Sequence, residues 1–337
     1  MRAIVLDYEH RSLLKRDVPV PAPLGDGEVL FRIEEVGVCG TDRELASFRF
    51  GYPPAGRSFL VLGHEAVGTV LETGRGVRSL QPGDLVVPMI RRGCRPPCSC
   101  CARRRADLCT TGNYRERGIF GVDGYFIEMA VDSEEDLVRV PPALAAIAVL
   151  AEPLSVVEKA MASAFRYRQE PPSTALVLGA GPIGLLATLA LLGRGLTVLV
   201  HSLEPADHPR ARLVEQAGAR YVPELGDVQA DLVLEATGSP QAAFAAIGCL
   251  GPLGVCGLLG AAVGTGQVSF RDLVVGNRVV FGSVNASPES FQSAVEQLAR
   301  FDRTVVDKLI HRAPFEHFVA SIAGPPSETA KVVHVIH

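Results

Sequence analysis

Five cysteines fall within the stretch "CRPPCSCCARRRADLC", residues 94–109, and that density asks for a chemical reason. Cys94, Cys98, Cys101 and Cys109 form a compact thiolate set of the kind that closes a tetrahedral, structural zinc site. Cys100 is then spare, and could stand in for Cys98 or Cys101. The alternative is a cluster of unpaired thiols in an arginine-rich loop, which would be an oxidation liability. A sixth cysteine, Cys39, stands apart in "VGVCGTDREL". Its candidate partners are the imidazole and carboxylate of "LGHEAVG", His64 and Glu65. Cysteine, histidine and carboxylate with one position left open make a catalytic zinc site, where the metal can meet a substrate. His64 alone could be a satisfied core histidine, a reading that the nearby Gly63 and Gly68 weaken.

A different chemistry is written in "GAGPIG", where Gly179, Gly181 and Gly184 have the spacing G-x-G-x-x-G. The motif follows the apolar run "TALVL" and opens "PIGLLATLALL", the strand–turn–helix context that a dinucleotide site requires. Gly179 permits a tight turn, Gly181 lets backbone approach a pyrophosphate, and Gly184 allows close helix–strand packing. Pro182 and Ile183 lead into the helix, whose unpaired N-terminal N–H groups favour phosphate. The alternative is a glycine-rich turn without a ligand. The end of the following strand selects the nicotinamide cofactor. A carboxylate there accepts from a ribose 2′-hydroxyl, and basic or hydroxyl groups suit a 2′-phosphate. Here "VLVHSLE" places His201, Ser202 and Leu203, with Glu204 slightly further on and Arg210 or Arg212 able to fold back. The choice between NADP and NAD stays open and tilts towards NADP.

Two kinds of element must position these groups. Residues 1–150 read as short strands broken by glycine and proline, such as "AIVLDY", "EVLFRIEEVGV", "EAVGTVLETG" and "DLVVPMI". From "AEPLSVVEKAMASAF" onward, with Pro153 suited to a first helical turn, buried strands alternate with helices, which implies a parallel sheet with crossover helices. The expected architecture is therefore α/β. A β-rich domain over 1–150, completed by 288–337, joins a doubly wound, Rossmann-type domain over 151–287. A length of 337 residues agrees with two domains, and 47% hydrophobic with 21% charged residues describes a well-buried globular chain. The net charge of −4 argues against a nucleic-acid partner, and Arg103–Arg105 reads as a solvated loop face. "MRAIVLDYEH" has no long apolar run of a signal peptide, and no window is apolar enough to span a membrane. A cytoplasmic location is expected, where clustered cysteines point to metal or catalysis and not to disulfides.

Taken together, "GVCGTD", "GHEAVGTVLETGRGV", the cysteine lobe, "PGDLVV" and "GAGPIG" resemble, in order and spacing, the zinc-containing medium-chain dehydrogenase/reductase (alcohol dehydrogenase) superfamily. The resemblance covers essentially the whole chain and implies a GroES-like catalytic domain beside the cofactor domain. "RERGIFGVDGYFIEMAVD", "AEPLSVVEKA" and "GSVNAS" are most similar to its archaeal-type glucose 1-dehydrogenases. The resemblance implies that Cys39 and His64 bind a catalytic zinc, with Glu65 as ligand or close partner. It places Glu152 where relatives ligate zinc or meet the sugar, and Thr41 where the reacting hydroxyl is hydrogen-bonded. Glu116 and Asn285 fall at sugar-contacting positions, and Leu258 and Ser283 join the cofactor set. The competing readings are a solvated loop charge at Glu116, a turn residue at Asn285, and a surface ion pair at Glu158 beside Lys159.

Three departures stand out. One extra residue separates Cys94 from Cys98, the turn after Val200 lacks the arginines of NADP-linked relatives, and no histidine follows "CGTD" within twenty residues. The expected activity is oxidation of the C1 hydroxyl of D-glucose to the lactone, with hydride passing to NADP or NAD. Two zinc ions, one catalytic and one structural, and a homo-oligomer (dimer or tetramer) go with it. Alternatives are a zinc dehydrogenase of a polyol, threonine or secondary alcohol, or a non-catalytic zinc and dinucleotide binder.

Overall fold

A computed structural model describes residues 1–337 apart from 22–23, 262, 326–329 and 337. Two large sheets organise it. The first is mainly antiparallel and seven-stranded. In it Glu28–Gly37 pairs with Glu65–Thr73 on one side and with Lys331–Val335 on the other. Leu85–Pro88, Leu137–Val140, Met129–Ser133 and Ile310–Pro314 complete it. Strands from the end of the chain thus lie beside a strand that begins at residue 28.

The second sheet is six-stranded and wholly parallel. Its spatial order is Arg220–Tyr221, Thr197–His201, Thr174–Leu178, Ala230–Glu235, Leu250–Leu258, Val279–Gly282. In sequence order that is 3-2-1-4-5-6, the doubly wound arrangement that binds dinucleotides where the order reverses. Near-continuous burial of "ALVL" and "LVLE" follows from helices covering both faces. The reversal falls beside Thr174–Leu178, the strand that feeds the glycine motif. There Gly179 has φ +106°, and a Cβ on Gly184 would stand 1.8 Å from the Gly179 carbonyl oxygen, so only glycine fits.

One apolar cluster joins the two sheets, beside a second that lies within the antiparallel domain. The first runs from Val67 and Val87 through Leu150, Leu154 and Val157 to Val177 and Val198. The helix Ala151–Tyr167 carries that core and packs on Pro182–Leu192 and Pro288–Leu298. Its first turn also brings Glu152 up to the antiparallel sheet. Among the described residues no helix is long and apolar enough to cross a membrane.

Candidate active site and zinc lobe

Strand register brings the first donor set together. Gly37 lies opposite Glu65 in the pairing of Glu28–Gly37 with Glu65–Thr73. Cys39 follows the one strand and His64 precedes the other, so both leave the sheet at the same edge. The approach is close, because a Cβ on Gly37 would meet a Glu65 carboxylate oxygen at 2.3 Å. Cys39 Sγ, a His64 ring nitrogen and a Glu65 oxygen all lie within 4.8 Å of one another. His64 and Glu65 are buried and Cys39 is partly open. Thr41 Oγ1 is 3.9 Å from Cys39 Sγ, on the short helix Gly40–Ala46 that Cys39 caps.

Two residues that the sequence did not single out organise this cluster. Asp42 accepts from the Cys39 backbone N–H at 2.8 Å, and its other oxygen stands 3.3 Å from His64 Nδ1 without hydrogen-bond alignment. Burial opposes a charge on His64, but Asp42 and then Cys39 outweigh it and raise the imidazole well above its ordinary value. Lys331 is 2% exposed and donates to both Glu65 oxygens, at 2.7 and 2.5 Å, and to the Val38 carbonyl at 3.3 Å. Burial works against its charge, but the Glu65 carboxylate more than compensates and holds the ammonium protonated. Glu65 therefore has a lysine counter-ion as well as a place among the candidate ligands.

Glu152 stands outside the 4.8 Å set yet within its field. Burial, and next the Glu65 charge, push its carboxyl up to about 8, and Glu116 adds to the effect. Glu116 is buried, which removes the solvated-loop reading. Its Oε1 accepts from Arg91 Nε at 2.8 Å and from Asn285 Nδ2 at 2.9 Å. Asn285 does have a turn backbone, with φ +61°, and uses it to reach Glu116 from 169 residues away. Glu158 is buried too and pairs with Arg194 at 2.6 Å, while Lys159 meets Asp107 at 2.9 Å. The ion-pair reading of Glu158 holds, but its carboxylate is buried and its partner Arg194 is partly so.

The cysteine lobe gathers Cys94, Cys98, Cys101 and Cys109, with sulfurs mutually within 4.8 Å, and Cys100 stays outside the set. Backbone N–H groups point at the sulfurs: that of Cys98 at Cys94 (3.2 Å) and that of Cys101 at Cys98 (3.5 Å). Such donors, the Cys101 amide first, hold the Cys98 thiol down at about 5, whereas burial pushes Cys101 up to about 12. Four convergent sulfurs, steered by backbone N–H groups, are a donor set that suits a soft, tetrahedral dication.

On the parallel sheet, Gly179, Gly181, His201, Ser202 and Leu203 line one cleft of about 620 Å³. Pro182, Ile183 and Gly184 lie behind it at the helix start, and Leu258 and Ser283 lie further along the strand ends. Leu203 is 97% exposed at the rim of this cleft, and Glu204 lines it as well.

Residues 25–142 match the alcohol dehydrogenase GroES-like domain, and residues 145–333 match the glucose dehydrogenase C-terminus. Glucose 1-dehydrogenase of Thermoproteus tenax is 43% identical over 311 residues, 88% of each chain. That of Methanocella arvoryzae is 40% identical, over 87% of this chain and 86% of the other. The solved structure of Haloferax mediterranei glucose dehydrogenase in complex with NADP, Zn and gluconolactone superposes with a TM-score of 0.91. It is 33% identical and covers 99% of each chain. The sheet order, the two donor sets and these likenesses agree, and the chain belongs to the glucose-dehydrogenase branch of the zinc-containing medium-chain dehydrogenase/reductase superfamily.

Proposed function

We propose that this protein is a zinc-dependent glucose 1-dehydrogenase, oxidising the anomeric C1 hydroxyl of D-glucose to gluconolactone with hydride transfer to NAD(P)+. The observation that carries the sugar reading is the polar wall of Glu116, Asn285 and Arg91, whose field reaches Glu152 beside the candidate ligands. A simple alcohol would favour apolar walls, whereas a sugar presents hydroxyls that a buried site must hydrogen-bond.

Cys39, His64 and Glu65 would hold the catalytic zinc, with Glu152 a second carboxylate nearby. Cys94, Cys98, Cys101 and Cys109 would hold the structural one. When bound, a catalytic zinc lowers the pKa of a substrate hydroxyl, and the nicotinamide takes up the hydride. The remaining work falls to the chain itself. Asp42 orients His64 from behind through Nδ1, which leaves Nε2 for the cluster. Thr41 Oγ1 would hydrogen-bond the reacting hydroxyl and so hold its proton in place for departure. Glu116 has Oε1 engaged by Arg91 and Asn285, so Oε2 is the oxygen that takes a sugar hydroxyl away from C1.

On this reading 1–150 with 288–337 form the catalytic domain and 151–287 the cofactor domain. The edge strand Val279–Gly282 and the neighbouring helix Phe270–Val275, with Phe270, Val274 and Val275 exposed, offer a surface for a second copy. The discriminating experiment is a dehydrogenase assay over aldoses, polyols and secondary alcohols with each coenzyme, alongside zinc analysis. Glucose should lead with about two zinc ions per chain. A secondary alcohol outrunning glucose would replace the sugar reading.

A further inference from the structure

The arginines of "RRGCR", residues 91–95, line a cavity that neither the sugar wall nor the coenzyme cleft accounts for. It holds about 410 Å³ and opens beside the cysteine lobe, against Pro288 at the start of the helix Pro288–Leu298. Five arginines line it against three carboxylates, and each carboxylate is already engaged. Asp107 is taken by Arg105 and Lys159, which lie outside the cavity wall. Asp136 pairs with Arg92 at 2.9 Å. Glu135 receives Arg104, whose Nη2 donates to its carbonyl at 2.6 Å and whose Nε stands 3.9 Å from its carboxylate. Arg91 turns to Glu116. Among the described residues, Arg95 and Arg115 are left with no hydrogen bond or ion pair.

Strand register sharpens the imbalance. In the antiparallel pairing of Arg91–Arg92 with Arg115–Arg117, Arg91 stands opposite Glu116 and Arg92 opposite Arg115. The first couple is a salt bridge, whereas the second sets like charges across from each other, which destabilises a sheet. Arg92 is balanced by Asp132 and Asp136. Arg115, half-buried, has no such balance. We propose that this cavity is a binding site for a phosphate oxyanion, held by Arg95 from the lobe and Arg115 from the strand. A guanidinium offers phosphate a planar fork of donors, and a dianion matches the two cations that the wall leaves over. Bound there, it ties the lobe to the strand that carries Glu116. The same chemistry arrives as inorganic phosphate or as the phosphoryl group of a small ester, and the test separates the two.

The test is calorimetry of the zinc-loaded protein with inorganic phosphate and with glycerol 3-phosphate, at constant ionic strength set by sodium chloride. Wild type should bind, and its Tm should rise with ligand concentration, as for any ligand of the folded state. Arg115→Gln and Arg95→Gln should each weaken binding by at least about tenfold, the effect of losing a hydrogen bond to a charged group. Arg103→Gln removes an exposed arginine of the same lobe that lies outside the cavity, and should change binding by less than about twofold. Circular dichroism and zinc content report that each variant is folded, and the exposed Arg95 keeps the test open should Arg115→Gln fail to fold. Tighter binding of the ester would make the ligand a phosphorylated metabolite, and the reverse would make it free phosphate. Heat no greater than that of added chloride overturns the inference. So does binding that both cavity variants leave unchanged, which places the anion elsewhere, or an equal loss in Arg103→Gln, which net charge alone explains.

Discussion

The two cysteine-centred clusters gather their donors within the same span, 4.8 Å, by opposite means. The lobe draws all four sulfurs from one loop and steers them with the N–H groups of that loop. The other cluster draws Cys39 and His64 from separate strands, and adds Lys331 from near the end of the chain through the pairing of Lys331–Val335 with Glu28–Gly37. The first cluster brings four thiols together, a set that a bound cation would balance. The second already contains a buried ammonium against its carboxylate. One is a local fastening that a metal completes. The other is a product of the whole sheet, pre-organised for chemistry before any metal arrives.

Removing one donor from each should therefore give contrasting phenotypes. Cys39→Ser or His64→Ala should lower kcat/KM on glucose by more than the roughly 10–100-fold that loss of an outer partner costs, with circular dichroism and Tm near wild type. Cys98→Ser or Cys109→Ser should instead destabilise by several kcal/mol, a share of the ~10–16 kcal/mol that structural thiolate zinc supplies in small domains. Turnover at low temperature should persist, with one zinc fewer per chain. Zinc analysis, melting curves and kinetics on the same four proteins decide the matter. A shared phenotype would break the contrast.

Lys331→Met sharpens it. Glu65 would then be a buried carboxylate without a counter-ion, a loss worth about 3–5 kcal/mol when one partner of a buried pair is removed. The loss should be largest in metal-stripped protein and smaller with zinc present, because a dication beside Glu65 replaces the missing charge. Urea unfolding of both forms measures the difference. Equal losses would make the pair a scaffold contact only.

The same contrast explains what could be read from the sequence. The lobe was legible because its four candidate ligands are neighbours in the chain, and the structure groups Cys98, not Cys100, with the other three. The glycine motif was legible because a turn between strand and helix is also local. Cys39, His64 and Glu65 could be grouped by residue type, but their counter-ion could not, since Lys331 sits in the apolar run "KVVHV" 266 residues from Glu65. A faint signal did exist. This chain uses 29 arginines and four lysines, so a lysine inside an apolar strand asks for a compact point charge that a guanidinium would not supply. Glu116 was located but its exposure was not, because burial depends on Arg91 and Asn285 arriving from different elements. Glu204 was noted as slightly beyond the strand end, and the structure places it on the cleft wall.

Glu116→Ala probes the polar wall, which belongs to the second kind of site. It should lower kcat/KM for glucose by about 1–3 kcal/mol, the cost of a lost polar partner, and leave NADH binding unchanged. A secondary alcohol, lacking the remote hydroxyls, should be affected far less. Because Arg91 also loses its carboxylate, Tm is measured in parallel, and Glu116→Gln should recover stability more fully than glucose turnover. Unchanged glucose kinetics would remove Glu116 from the substrate site.

The smallest expected effect lies where the two regions touch. Asp107, inside the lobe, has a fully buried side chain that accepts from Arg105 (2.8 and 2.9 Å) and meets Lys159 Nζ at 2.9 Å on the helix Ala151–Tyr167. Lys159 in turn donates to the Val284 carbonyl at 2.9 Å, next to Asn285. Burial opposes the Asp107 charge, but Arg105 and Lys159 outweigh it and lower its carboxyl below the ordinary value, while burial lowers Lys159 as well. The two shifts oppose each other in energy, so the pair is worth less than its geometry suggests, about 1–2 kcal/mol for Asp107→Asn at neutral pH. The sign follows from the depressed carboxyl. Its contribution is complete above the unfolded carboxylate pKa, near 4, and is lost as pH falls through the lower folded value. Wild type should therefore exceed Asp107→Asn in stability at pH 7, and the gap should narrow as pH falls below about 4, closing only below the depressed folded value. Urea unfolding of the two proteins at pH 7, 5 and 3.5 reads the narrowing. A gap unchanged between pH 7 and 3.5 would mean that Asp107 serves the lobe by shape and not by charge.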